Sequence, residues 1–289
     1  MKIKNLEKKS MSSSKFCFVR INNLNYIKKT PPKLDQREIQ SIFKQNKFKT
    51  YYAEDIKVFS IKIKLDKSKK NSSSYLMSFF EGKTGEDIFT QASVYDIKKL
   101  TIFFNDFFDK NNKINKYFEV DTEIYKNKIL NIEKKINKYK IPIIKKKIIP
   151  ELKNLLKQSY YFPDNKSCHG DLTFSNLIVS SKKKEIGLID FQNTFHDNIM
   201  QDFAKIYMEF NLKMSARFLN ESNLLKSDII YESILHERVW RNLKANFKKS
   251  LKLEILICLL RMVPYLRVND DVTKNWVEKS FEKMLVSTI

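Results

Sequence analysis

The stretch that most restricts what this chain can fold into runs Cys168-His169-Gly170-Asp171-Leu172-Thr173-Phe174-Ser175-Asn176. It is followed by two short apolar runs, Leu177 to Ser180 and Ile186 to Asp190, joined by the turn Ser181-Lys182-Lys183-Lys184-Glu185. Apolar runs of this length around a polar turn predict a β-hairpin. A hairpin fixes the distance between Asn176, just before its first strand, and Asp190, at the end of its second, so that both side chains reach one point. Gly170 permits a tight backbone path beside Asp171, and the chain has only four glycines to place.

An aspartate, an asparagine five positions later and a second aspartate closing an apolar strand make the set that phosphoryl transfer requires. That reaction asks for a carboxylate to orient and deprotonate the attacking hydroxyl, and for hard oxygen ligands that hold Mg²⁺ against a triphosphate. Asp171 suits the first task; Asn176 and Asp190 suit the second. A plain turn and a strand-end cap would account for His169-Gly170-Asp171 alone. The asparagine, the hairpin and Ile189-Asp190-Phe191 in register favour the phosphoryl-transfer reading.

The segments HGDLTFSNLIV, IGLIDFQ and QDFAKIY resemble the aminoglycoside phosphotransferase and choline kinase superfamily, and most of all its bacterial members found with capsule and surface-glycan genes. The resemblance is specific from about Ser167 to Tyr207 and traceable from the N-terminus to Phe89. It implies an α+β, bilobal, protein-kinase-like fold, with a small antiparallel-sheet lobe over residues 1–82 and a mostly helical lobe over 83–289. It also implies ATP and Mg²⁺ as cofactors, Asp171 as catalytic base and Asn176 and Asp190 as magnesium ligands. Asp202 matches the family aspartate that hydrogen-bonds and braces the catalytic loop, and His169 becomes a structural member of that loop.

Composition sets the wider limits. At 289 residues the chain can bury a sizeable core. No apolar run reaches the roughly 18 residues that cross a bilayer, and the N-terminal MKIKNLEKKSMSSSK has no apolar h-region of a secretory signal. Cys17, Cys168 and Cys258 are odd in number, far apart and without a CxxC pair. Reduced thiols in a cytoplasm are therefore expected, not a disulfide framework or a zinc site. Cys168, beside the loop, reads as a small buried thiol.

The net charge of +22 raises the question of nucleic acid. Lysines are spread along the whole chain among Asn, Ile, Phe and Tyr, the mixture an AT-rich genome writes. There is no zinc-finger spacing, RNA-recognition signature or arginine-rich tail, so no specific nucleic-acid partner is expected. A strongly positive protein attracts acidic substrates or, weakly, anionic surfaces, and repels a polycationic aminoglycoside.

The N-terminal segment reads as the nucleotide-binding part. Phe16 to Ile21 and Leu24 to Lys28 are β-branched and aromatic runs around Asn22-Asn23, a hairpin turn. Before them, Ser13 and Ser14 stand where a glycine-rich phosphate loop usually lies; a small-residue loop and a plain polar N-terminus both fit. Lys28 and Lys29 end the second strand, and alternation turns one of them inward. Lys29, on the face of Ile27, is the better candidate for the phosphates. Asp35 to Phe48 has helical spacing, with Glu38 as the lysine's carboxylate partner or Gln40 as a substitute. Strands are expected over Ile56 to Leu65 and Tyr75 to Phe80. In the second, Met77 and Phe79 line an adenine site or belong to the core, and Gly82 and Gly85 relax the chain beyond it.

From Val94 onward the pattern is helical apart from the catalytic hairpin. Helices are expected from Tyr117 to Tyr139, Ile148 to Tyr161, Met200 to Phe218, Glu221 to Phe247, Leu251 to Arg261 and Lys274 to Val286. Asp202 follows Asp190 by only a dozen residues, too few for the activation segment that docks a polypeptide, so a small hydroxyl-bearing acceptor is expected. Tyr231, Trp240, Tyr265 and Trp276 form a cation cage or ordinary core, while Glu237, Asp270 and Asp271 receive an amine or end helices. The expected activity is ATP- and Mg²⁺-dependent phosphorylation of a sugar, polyol or amino alcohol headed for a surface glycan.

Overall fold

The computed structural model of the chain describes residues 14–65, 74–136, 142–165, 167–194, 196–235, 238–241, 243–266 and 270–287. Ser13 and Glu237 lie outside the described residues. The chain divides into two compact units: residues 1–103 with 174–193, and residues 104–173 with 194–289.

The first unit begins with β1 (Lys15–Ile21) and β2 (Leu24–Thr30), paired antiparallel from Lys15↔Thr30 to Ile21↔Leu24. Asn22 and Asn23 connect them at φ 48° and 61°, the left-handed pair a two-residue hairpin turn needs and asparagine tolerates. Helix α1 (Gln36–Lys47) follows, and the Asp35 side chain accepts from the Glu38 N–H at its start, a capping bond that settles where the helix begins.

The run Ile56 to Leu65, expected as one strand, is two. After β3 (Tyr51–Ala53) come β4 (Ile56–Ser60) and β5 (Ile63–Leu65), which belong to different sheets. One sheet has the order β1-β2-β6-β5, with β6 spanning Tyr75–Ser78. Two short helices' worth of chain then follow as α2 (Glu86–Gln91) and the start of α3 (Val94–Asn112). The second sheet is closed by segments from both ends of the unit's sequence.

In the second unit β7 (Tyr117–Glu119) precedes α4 (Thr122–Ile136), and α5 (Ile149–Leu155) precedes β8 (Tyr161–Pro163). Tyr117 and Tyr161 were expected on helices and are instead on paired strands, Tyr117↔Pro163 to Glu119↔Tyr161. Tyr-Phe-Glu-Val suits a strand, and the Asp121 carboxylate, accepting from the Glu123 N–H at 2.9 Å, starts the helix only after it. The catalytic hairpin follows in the first unit as β9 (Leu177–Val179) and β10 (Glu185–Leu188), antiparallel with Leu188↔Leu177. Strand β10 also pairs in parallel with β4, giving the order β3-β4-β10-β9.

Helices α6 (Met200–Phe210), α7 (Glu221–Ile234), α8 (Arg238–Arg241), α9 (Ala245–Met262) and α10 (Asp271–Val286) complete the second unit. Their core is aromatic: Phe203 of α6 stands against Phe107, Phe108 and Phe247 at ring separations of 4.9–5.3 Å. Trp240 packs edge-on against Phe108 and Tyr207, and Tyr231 donates to Glu209 at 2.8 Å. Both aromatics are thus committed to the core, not to a cation cage. Trp276 lies over Arg217, Tyr265 is exposed, and Asp270 caps α10 through the Thr273 N–H. Among the described residues no helix is long and apolar enough to cross a membrane.

Gly82 is where β9 meets the chain leaving the first sheet. Lys83 and Val179 exchange backbone hydrogen bonds at 2.9 Å in both directions, so a Cβ on Gly82 would stand 2.4 Å from the Val179 carbonyl oxygen. Backbone cannot yield as a flexible side chain would. Gly82→Ala should therefore lower stability by about 1–3 kcal/mol, read as a drop in the denaturant midpoint. An unchanged midpoint would refute this close approach.

Candidate active site

Lys29 is the inward lysine. It is 7% exposed, and its Nζ lies 3.0 Å from Asp190 Oδ1 and 3.7 Å from Glu38 Oε1. Alternation along β2 sends it to the same side as Phe16 on the neighbouring strand and Tyr75 on β6, whose rings it faces at 5.8 and 5.6 Å. Glu38 of α1 is held in turn by the Tyr75 hydroxyl, which donates at 2.7 Å. Burial, with the Asp190 and Glu38 carboxylates beside it, pushes the Tyr75 phenol far above its ordinary range, so Tyr75 is a fixed donor. Lys29, Glu38, Tyr75 and Asp190 line one small polar pocket with Phe191 and Gln192.

The two hairpin residues sit at the same end of the hairpin. Asn176 ends a short 3₁₀ turn (Phe174–Asn176), and its carbonyl accepts from the Ile189 N–H at 3.1 Å. Asp190 follows at φ 57°, a left-handed conformation that costs a non-glycine residue of order 1–3 kcal/mol and aims its carboxylate off the strand. What holds it is α1: Gln45 donates to the Ile61 carbonyl and accepts from the Phe191 N–H at 3.4 Å. The Ser41 hydroxyl accepts from the Asn193 N–H at 2.9 Å.

Asn176 and Asp190 offer hard oxygens, which suit Mg²⁺, an ion held by one or two protein ligands with phosphate oxygens and water supplying the rest. No group of three or more His, Cys, Asp or Glu side chains able to hold a metal occurs among the described residues.

Met77 is 5% exposed, in a cluster with Ile42, Ile61, Ile63, Tyr75 and Ile189. Phe79 is half exposed and stands edge-on to Phe18 at 5.4 Å. Ser14 immediately precedes β1, and Lys28 is half-buried.

The second unit holds the His169-Gly170-Asp171 loop. Asp202, in the first turn of α6 and 2% exposed, spends both carboxylate oxygens on it: Oδ2 accepts from the His169 N–H at 2.6 Å and Oδ1 from the Gly170 N–H at 2.7 Å. Gly170 takes φ 86°, open to glycine and strained for other residues. The next N–H, of Asp171, donates to His169 Nδ1 at 3.2 Å. A ring nitrogen that accepts carries no proton, so the buried imidazole is the neutral Nε2–H form. His169 thus shapes the loop through its own side chain.

Reasoning from sequence did not find Lys205. Its Nζ lies 2.9 Å from Asp171 Oδ1. The available signal was its place three residues after Asp202, one turn along the same helix face. Among the described residues Cys17, Cys168 and Cys258 form no disulfide, and Cys168 and Cys258 are buried.

Comparison with known proteins gives two findings. Residues 151–223, which contain the loop, Asn176, Asp190 and Asp202, match the phosphotransferase enzyme family. Among solved structures, a thermostable mutant of the aminoglycoside phosphotransferase APH(4)-Ia in its apo form is similar over 99% of this chain and 94% of its own. The TM-score is 0.57 at 11% identity. An ethanolamine kinase of Plasmodium vivax is similar over 99% of this chain and 81% of its own, with a TM-score of 0.49 at 14% identity. Among curated proteins none matches the chain in sequence. The chain thus has an α+β fold like that of the aminoglycoside phosphotransferase, and a segment of it is similar to the phosphotransferase enzyme family.

Replacing Asp202 strands two buried N–H groups at once. Asp202→Ala should lower stability by about 1–3 kcal/mol for each unsatisfied donor, and amide exchange at His169 and Gly170 should quicken. Asp202→Asn, with one acceptor oxygen in place of two, should fall between. Wild-type exchange at both amides in Asp202→Ala would refute the brace.

Proposed function

We propose that this chain is an ATP- and Mg²⁺-dependent small-molecule kinase that transfers the γ-phosphoryl group to a hydroxyl of a sugar, polyol or amino alcohol, in the service of a surface glycan. The observation that carries this reading is the pairing of a braced His169-Gly170-Asp171 loop with a hairpin that presents Asn176 and Asp190 at one end.

Each residue has a defined task. Asp171 orients the acceptor hydroxyl and takes its proton as the new oxygen–phosphorus bond forms and the bond to the departing ADP breaks. Asn176 and Asp190 would hold Mg²⁺, which supplies charge neutralisation for the triphosphate. Lys29 contacts the α- and β-phosphates, with Glu38 and Tyr75 fixing its direction. Ser14 is the candidate cover for the phosphates, Lys28 adds positive charge at the strand end, and Met77 and Phe79 flank the base. His169 and Asp202 keep the loop in shape.

The acceptor is read by elimination. A polycationic aminoglycoside is disfavoured by the net charge of +22, which repels it. A quaternary amine needs an aromatic cage, and Tyr231 and Trp240 are occupied in the core. A sugar, a polyol or a singly charged amino alcohol remains.

The test is Mg²⁺-dependent ATP consumption with a panel of sugars, polyols and amino alcohols. Asp171→Asn should leave nucleotide affinity nearly unchanged and lower turnover by about 10²–10⁴. Asp190→Ala should abolish Mg²⁺-dependent nucleotide binding itself. Near-normal turnover in Asp171→Asn would remove Asp171 as the base, and a wild-type protein that binds no ATP would sink the kinase reading.

A further inference from the structure

Asp171 does not stand alone in its unit. Lys205 Nζ lies 2.9 Å from Oδ1, and side-chain exposures of 16% for Lys205 and 29% for Asp171 leave the carboxylate the more accessible of the two. Burial is the largest single influence and opposes the ammonium charge, yet the Lys205 pKa lies above its ordinary value, with Asp171 the leading cause of the rise. The pair is drawn from the two places that define the loop: its own side chain and the helix that braces it.

The setting of Lys205 is specific. Helix α6 delivers Asp202 to the loop backbone and, one turn on, Lys205 to the loop's functional side chain. From α9, Glu254, Cys258 and Arg261 lie within electrostatic reach of Lys205. The buried Glu254 is already engaged, accepting from the Tyr125 hydroxyl of α4 at 2.6 Å. Burial, with the Glu254 carboxylate nearby, pushes the Cys258 thiol up to about 12, so it stays neutral. Asp171 is the carboxylate in direct ion-pair contact with Lys205.

We propose that Lys205 is a positioning residue for the phosphoryl transfer: by engaging Oδ1 of Asp171 it fixes the direction in which the carboxylate meets the acceptor hydroxyl. This inference rests on the kinase reading of Asp171. Charge-assisted hydrogen bonds of this kind are short and directional, and a supporting partner behind a functional group is commonly worth 10–100-fold. Lys205 touches no reacting atom; it acts through Asp171.

The experiment compares Lys205→Met, which keeps the chain length and removes the charge, with Lys205→Arg, which restores a cation. In Lys205→Met, kcat should fall about 10–100-fold while ATP affinity and thermal midpoint stay near wild type. Lys205→Arg should recover part of the loss, and Lys205→Met should cause little further loss in an Asp171→Asn background. A Lys205→Met enzyme with wild-type kcat overturns the inference. So does a loss that adds in full to that of Asp171→Asn, or failure of both single variants to fold, which would assign Lys205 to stability alone. A wild-type protein without Mg²⁺-dependent ATP turnover would instead sink the kinase reading and this inference with it, so the two failures are told apart.

Discussion

The second unit turns on one carboxylate. Asp202 takes up two consecutive backbone N–H groups of the loop, and both bonds are short and buried. A buried carboxylate is tolerable only when its oxygens are satisfied, and here the donors are main-chain groups that could otherwise be paired only by water. The bond works in both directions. It ties the loop to α6, and it lets α6 begin with an acidic residue in its first turn, where the helix dipole favours one. Gly170 makes the approach possible by adopting φ 86°, and the neutral His169 ring closes the loop by accepting from Asp171. The position of Asp171 is thus fixed by backbone chemistry before its own side chain takes part.

The first unit solves a similar problem with different means. Asp190 sits in a left-handed conformation that its own residue type does not favour. Its neighbours hold it: Gln45 and Ser41 of α1 bind the N–H groups of Phe191 and Asn193, and Lys29 pairs with the carboxylate. Helix α1, which looks in sequence like a carrier of one glutamate, also clamps the turn that presents Asp190. The Glu38–Tyr75 bond ties the same helix to β6, so the lysine's surroundings are set by three elements at once.

How much of this could be read from the residues follows from the range of each interaction. Local signals were legible. Asn22-Asn23 marks a turn whose two left-handed residues asparagine accepts; Asp35 marks the start of α1; the hairpin after Asn176 follows from two apolar runs and a polar turn. The spacing of Asp171, Asn176 and Asp190 fell within the same local range. What escaped is long-range or depends on competition between patterns. The parallel pairing of β10 with β4 joins segments some 130 residues apart, and nothing local announces it. The break between β4 and β5 at Ile61-Lys62 carries no turn residue; its one mark in the sequence is the shift of apolar phase from Ile56 and Val58 to Ile61, Ile63 and Leu65. Tyr117 and Tyr161 were swept into neighbouring helical patterns, although Asp121 is a helix-start signal that would have excluded Tyr117.

The lysines show why composition misleads where position informs. With 55 basic residues, no single lysine stands out, and most lie on solvated faces where an ion pair contributes little. Lys29 and Lys205, like Lys99 beside Asp96, are largely removed from water next to a carboxylate of their own unit. A sequestered ammonium must be compensated, and at Lys29 and Lys205 the partner is an aspartate that the motif singles out. The same pairing directs each aspartate without help from a ligand. The fold therefore sets the orientation of both carboxylates from its own residues alone, and the chemistry assigned to them begins from a geometry already in place.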